Sequence, residues 1–211
     1  MATFKFVMLK RFSKISFIQC CCTKTVWFFE ILILNKTDVQ LYRKYFKNKV
    51  TYIPNPISFI SDNFSSLDNN IIISVGRLDK IKGFDKLIKA FAIVIKEPKL
   101  SNWKLEIYGN DAGEKNFLNS LIDELSVREN VSIFNAVSNI KEKYLTSDIF
   151  ALSSLNECFS MVLLEAHECG LPIVSFDCNS GPRDVIRNGE NGYLINPYDI
   201  NEYANKLRLL M

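Results

Sequence analysis

The chain has few glycines and prolines, eight and six in 211 residues, and a single histidine. That scarcity excludes collagen-like and low-complexity classes. Its six cysteines stand at 20, 21, 22, 158, 169 and 178 without C-x-x-C spacing, so they suggest neither a disulfide framework nor a zinc site. They read as buried or free thiols in a reducing compartment, with palmitoylation of Cys20-Cys21-Cys22 near a membrane as the alternative. Charge of one sign is also lacking: 26 basic against 23 acidic residues leave +3, interspersed, which argues against nucleic acid as a partner. A weak positive balance suits a phosphate-bearing ligand or an anionic membrane surface without requiring either. No apolar run reaches the ~18 residues of a membrane span. The hydrophobic first 34 residues are broken by Lys5, Lys10, Arg11, Lys14, Lys24 and Glu30 and show no clean signal-peptide core. The expected location is therefore cytoplasmic.

Hydrophobic residues make up 48% of the chain and charged residues 23%, as in an ordinary globular protein. Residues 1–30 show no sustained period and read as irregular. From Ile31 the pattern sharpens to a strand (31–34), a short helix with Thr37 as its N-cap, and a strand (49–53). Pro54-Asn55-Pro56 forbids regular structure and marks a linker. The expected domains are thus 1–53 and 54–211. A polar loop (61–70) comes next, then strands at 71–75, 103–108, 131–134, 149–152, 173–176 and 193–195. They alternate with helices at 84–96, 114–125, 140–145, 160–169, 182–186 and from 200 onward. Gly170 stands where a left-handed helix cap belongs. This alternation, with continuously apolar strands, predicts an α/β fold: a Rossmann-like parallel sheet with helices on both faces.

Ligands of such sheets bind beyond the carboxyl ends of the strands. Gly76-Arg77, Gly109, Glu157 and Gly181-Pro182 all fall there. Gly76 lets a ligand approach the backbone. Arg77 offers a planar fork of donors to phosphate oxygens, and Lys82 adds a point charge. Helix-start N–H groups around Ser160 form an anion site. Glu157, in front of them, can accept two sugar hydroxyls; Glu165, farther along the helix, can accept the two hydroxyls of a ribose. Taken singly, these are also what solvated surface charges or a carboxylate answering a helix dipole look like.

Their combination resembles a known family. The segments V-G-R-L-D-K-I-K-G-F-D-K-L-I-K-A-F, E-C-F-S-M-V-L-L-E-A-H-E-C-G-L-P-I-V-S-F-D-C and G-P-R-D-V-I-R-N-G-E-N-G-Y-L-I are similar, in order and spacing, to the C-terminal, donor-binding half of family 4 retaining glycosyltransferases of the GT-B class. The likeness runs from about residue 50 to the end, with Ile53-Pro54-Asn55-Pro56 resembling the interdomain hinge. Residues 31–53 resemble the last strand–helix–strand of a first domain that is otherwise missing.

The resemblance implies transfer of a hexosyl group from a nucleotide-diphosphate sugar with retention. Arg77 and Lys82 would neutralise the diphosphate. Glu157 would bind the transferred sugar and Glu165 the ribose, and N–H groups of Phe159, Ser160 and Met161 would hold phosphate oxygens. No cofactor or metal is expected, because protein cations and helix ends stabilise the departing diphosphate. The acceptor would be a glycan or lipid-linked molecule. The same resemblance leaves room for a separate chain supplying the first domain, for peripheral contact at the inner membrane face, and for a module that binds nucleotide-sugars without transfer. The chain departs from the family pattern in three ways: Cys158 replaces a glycine, Asn135-Ala136 stand where another is common, and most of the acceptor-binding domain is absent. His167 reads as structural.

Overall fold

The computed structural model describes residues 17–23, 26–34, 36–157, 160–178 and 181–211. The chain divides into two compact units, Met1–Pro56 and Ile57–Met211.

In the first unit, β1 (Phe17–Thr23) and β2 (Val26–Ile33) pair antiparallel, with Phe17 opposite Leu32 and Thr23 opposite Val26. Helix α1 (Lys36–Phe46) leads to β3 (Val50–Tyr52), which lies parallel to β2. Ile31, Ile33, Val39, Tyr42 and Val50 form its small core. Strands thus occupy part of the segment that shows no sequence period. Ladder hydrogen bonds come from the backbone, and β-branched and aromatic residues such as Ile18, Val26 and Trp27 favour extended chain without alternation. Because α1 already begins at Lys36, Thr37 lies inside the helix and not at its cap.

The second unit holds six strands: β4 (Ile71–Val75), β5 (Lys104–Tyr108), β6 (Val131–Phe134), β7 (Ile149–Leu152), β8 (Ile173–Phe176) and β9 (Gly192–Ile195). All pair parallel, in the order β6-β5-β4-β7-β8-β9. The chain builds outward from β4 to β6, then returns to the other side of β4 at β7. The connections therefore diverge at the carboxyl ends of β4 and β7, which opens a crevice there.

Helices α2 (Phe84–Val94), α3 (Lys115–Glu124) and α7 (Ile200–Leu210) cover one face, packing on Ile72, Leu105, Ile107, Ala151 and Val174. Helices α4 (Ile140–Leu145) and α5 (Met161–Glu168) cover the other, on Ile73, Phe150, Leu152 and Ile173. The short α6 (Pro182–Val185) follows β8. Successive strand residues feed opposite cores, so both strand faces must be apolar. The expected α/β architecture is borne out, with α2, α3, α5 and α6 ending one or two residues earlier than the periodicity suggests. Gly170 ends α5 at φ 82°.

The start of β4 is tied by one acid. Asp148, 4% exposed, accepts from the Ile71 N–H at 2.7 Å and the Asn69 N–H at 3.0 Å. Removing that carboxylate orphans two N–H groups. Asp148→Ala is expected to lower stability by about 2–3 kcal/mol, read as a shifted urea midpoint. A shift below ~0.5 kcal/mol, the size of an ordinary surface substitution, would show that the acid is replaceable there.

Candidate functional site

The crevice is built by two strand ends. After β4, the chain runs through Gly76-Arg77-Leu78-Asp79 into a 3-10 turn, Lys80–Lys82. Asp79 caps that turn: its Oδ1 accepts from the Lys82 N–H at 3.1 Å. Gly83 closes the turn at φ 62°, where an added Cβ would stand 2.3 Å from the Ser153 carbonyl oxygen. Cap and glycine together fix the direction in which Lys82 leaves the backbone.

The Lys82 ammonium donates to Glu157 Oε1 at 2.7 Å, across from the loop that follows β7. The two side chains are only 23% and 10% exposed. An ammonium has three N–H donors, so this bond leaves donor capacity for an incoming anion. Arg77 is placed differently. It is 72% exposed and donates to Asp79 Oδ2 at 2.7 Å. Such an exposed pair is worth only about 0–1 kcal/mol, so the guanidinium can swing to another acceptor at little cost.

Gly76 also floors an open cleft of about 260 Å³ that reaches Tyr108, Gly109, Val137 and Ile140. Tyr108 is a pinned wall: its ring stacks on Phe134 with centroids 4.9 Å apart, and its hydroxyl donates to Glu106 Oε2 at 2.6 Å. Burial, and then the Glu106 carboxylate, push the Tyr108 phenol above its usual range. It remains a neutral donor.

At the start of α5, Ser160 holds the N-cap position in extended conformation, yet its hydroxyl caps nothing. Among the described residues, Ser160 Oγ and Ser154 Oγ are buried side-chain atoms without a hydrogen-bond partner. Buried hydroxyls left unpaired call for a reason. Here both belong to the chain that brackets Glu157. Met161 is the first residue of α5, where backbone N–H groups have no carbonyl a turn earlier.

Of the expected site residues, the fold thus brings Gly76, Lys82 and Glu157 together and puts Ser160 and Met161 on the same loop and helix start. The expectation for Phe159, and the departure at Cys158, lie outside the described residues. Glu165 is not the solvated helix residue that its position mid-helix allows. It is 9% exposed and accepts from Ser58 Oγ at 2.6 Å and from the Tyr144 hydroxyl at 3.1 Å. His167 is exposed on the last turn of α5, a favourable place for a basic side chain. Among the described residues, no three His, Cys, Asp or Glu side chains are grouped to hold a metal ion. None of the described helices is long and apolar enough to cross a membrane.

Sequence reasoning missed Asp79, Ser58, Tyr144 and the Tyr108 wall. Asp79 was within reach: an aspartate three residues before a lysine, with glycine next, has the spacing of a capped turn. The others needed tertiary structure.

Comparison with known proteins gives this site its context. The family model described as "Glycosyl transferases group 1" matches residues 58–211. An uncharacterized glycosyltransferase of Haemophilus influenzae is 33% identical over 184 residues, covering 86% of this chain and 51% of that protein. The amylovoran biosynthesis glycosyltransferase AmsD of Erwinia amylovora is 30% identical over 182 residues, covering 82% of this chain and 49% of its own. This chain therefore spans about half the length of those two relatives. Among solved structures, the pneumococcal O-GlcNAc transferase GtfA, in complex with UDP and GlcNAc, superposes with a TM-score of 0.75 at 25% identity, covering 85% of this chain and 37% of that one. The family model, the sequence relatives and the fold likeness agree: the chain belongs to the glycosyl transferases group 1 family and carries the C-terminal domain of a GT-B glycosyltransferase.

Proposed function

We propose that the chain binds a nucleotide-diphosphate sugar as the donor side of a family 4, retaining hexosyltransferase. One observation carries this reading: the Lys82–Glu157 pair stands at the topological switch point, next to a cleft whose floor is Gly76. The pair places a cation for phosphate and a carboxylate for sugar hydroxyls 2.7 Å apart. Beside it, the Tyr108-walled cleft offers a flat apolar slot of the kind that takes a heterocyclic base. Arg77 would swing from Asp79 onto the diphosphate, and the α5 start with Ser160 would receive phosphate oxygens. Glu165, one to two turns into α5, would take the ribose. The pneumococcal relative's UDP and GlcNAc support a donor of this class.

The chemistry asked of these residues is electrostatic. As the glycosidic bond breaks, negative charge gathers on the departing diphosphate. Lys82 and the α5 N–H groups would meet it in place, and Arg77 once it has swung over from Asp79. No metal step is required by this set. Glu157 and Glu165 are not proposed as a hydrolase pair. One is bound to an ammonium, and the other is held by two hydroxyls.

All of these groups face the donor. Donor recognition is accordingly the part of the reaction they support, and binding without transfer by this chain alone is the second reading. Calorimetry with UDP and GDP, beside a sugar-transfer assay, tests both. We expect weak but measurable binding of one nucleotide and little or no transfer. Robust transfer by the chain alone would overturn the second reading, and absence of binding by either nucleotide would overturn the first.

A further inference from the structure

Resting on that reading of the site, we propose that Tyr144 is a positioning residue that makes Glu165 a reader of the ribose 2′-hydroxyl. Tyr144 is fully buried in α4, its ring edge-on to Phe150 at 5.9 Å, so it cannot touch a ligand itself. Its hydroxyl has one evident task, to donate to Glu165 Oε2 at 3.1 Å from the core side. Burial above all, and then the Glu165 carboxylate, hold the phenol well above its ordinary range, so it stays a donor at any working pH.

The carboxylate is therefore clamped from two directions. Tyr144 holds Oε2 from inside, and the exposed Ser58 holds Oε1 at 2.6 Å from outside. An ionised carboxylate has about four lone-pair sites, so about two remain for a vicinal diol. A glutamate on its own has three rotatable bonds. It would lose part of its hydrogen-bond energy in being ordered by the ligand. Clamped in advance, it presents fixed acceptors, and fixed acceptors discriminate a hydroxyl from its absence. The clamp thus explains an otherwise odd feature, a nearly buried acid on the inner side of a short helix with two hydroxyl partners and, among the described residues, no salt bridge.

The test compares UDP and GDP with their 2′-deoxy counterparts by calorimetry on the full chain. Wild type should prefer the ribonucleotide by roughly 10- to 100-fold, the weight of one hydrogen bond to a charged group. Tyr144→Phe keeps the ring and its packing. It should cut that preference to roughly 2- to 3-fold while affinity for the deoxynucleotide changes little. In a Glu165→Gln background the same substitution should no longer move the ratio, which a purely structural tyrosine could not produce. Should Tyr144→Phe fail to fold, the ratio in Ser58→Ala decides, because that hydroxyl holds the other oxygen of the same carboxylate. An unchanged ratio in the folded variant overturns the proposal and leaves the donor site standing. A wild type indifferent to the 2′-hydroxyl overturns the assignment of Glu165 to ribose. Failure to bind any of the four nucleotides overturns the functional reading beneath both.

Discussion

Lys82→Met should lower nucleoside diphosphate affinity by about 10- to 100-fold, the equivalent of about 1.4–2.8 kcal/mol. The size follows from where the ammonium sits. It is 23% exposed, held by a capped turn and a left-handed glycine, and aimed at Glu157. A cation fixed in a partly desolvated crevice acts on phosphate through a lower effective dielectric than a surface lysine does. Its loss also takes one counter-charge from Glu157, which is 10% exposed, so that carboxylate repels the incoming diphosphate more strongly. Two effects of the same sign add. The methionine keeps the aliphatic stem against Gly76, so the change is one of charge. Arg77→Ala should cost less, because the guanidinium is 72% exposed and already shared with Asp79. The double variant Lys82→Met, Glu157→Gln separates folding from binding: it should regain the stability lost with the ion pair, measured by urea denaturation, while affinity stays low. Wild-type affinity in folded Lys82→Met would place the diphosphate elsewhere.

How much of this could be read from the sequence varies with the range of the interaction. Strands β4, β6, β7 and β8 run over the very residues their apolar blocks mark, Ile71–Val75, Val131–Phe134, Ile149–Leu152 and Ile173–Phe176. A strand buried on both faces has to be apolar throughout, and that requirement is local. Gly76, Lys82 and Glu157 could be picked out as candidates because they follow the ends of such strands, where a parallel sheet puts its ligands. Glu165 was legible as a residue but not as an environment. Nothing near it in the chain tells that Ser58, 107 residues earlier, and Tyr144, 21 residues earlier, supply its hydrogen bonds. Tyr144 looks like any aromatic on an apolar helix face. The segment 61–70 reads only as a polar loop, yet the Ser61 N–H donates to Glu168 and the Ser65 N–H to the Cys169 carbonyl. Serines and asparagines there serve as backbone tethers to α5 and to Asp148, which composition alone cannot separate from a free loop. The strands within residues 17–30 escaped for a related reason: pairing along the backbone leaves no period to find.

Gly109→Ala should be the most damaging single-methyl change in the sheet, about 3 kcal/mol or more and a fall in Tm of roughly 6–12 °C for a chain of this size. An added Cβ at Gly109 would lie 1.8 Å from the Gly76 carbonyl oxygen. No side chain can turn aside to relieve that contact, since the obstacle is backbone. The ends of β4 and β5 would have to part. Doing so strains the bonds that join them: the Gly76 N–H to the Tyr108 carbonyl at 3.0 Å, and the Leu78 N–H to the Asn110 carbonyl at 2.9 Å. Gly76→Ala is the informative contrast. The nearest atoms to its Cβ would be those of the flexible Lys82 stem, at 3.4 Å, an ordinary contact. The fold gives no reason for glycine at 76, so stability should change by less than ~1 kcal/mol. Nucleotide affinity should nevertheless drop by about tenfold or more, because the methyl projects where ligand and backbone would approach each other. Thermal denaturation and calorimetry on the two variants read these out. Equal stability losses would refute the distinction, as would a Gly76→Ala chain that binds nucleotide like wild type. The distinction itself is physical: of two glycines that meet across one strand pair, Gly109 is required by the carbonyl beneath it, and Gly76, on the proposed reading, would be required only by a ligand.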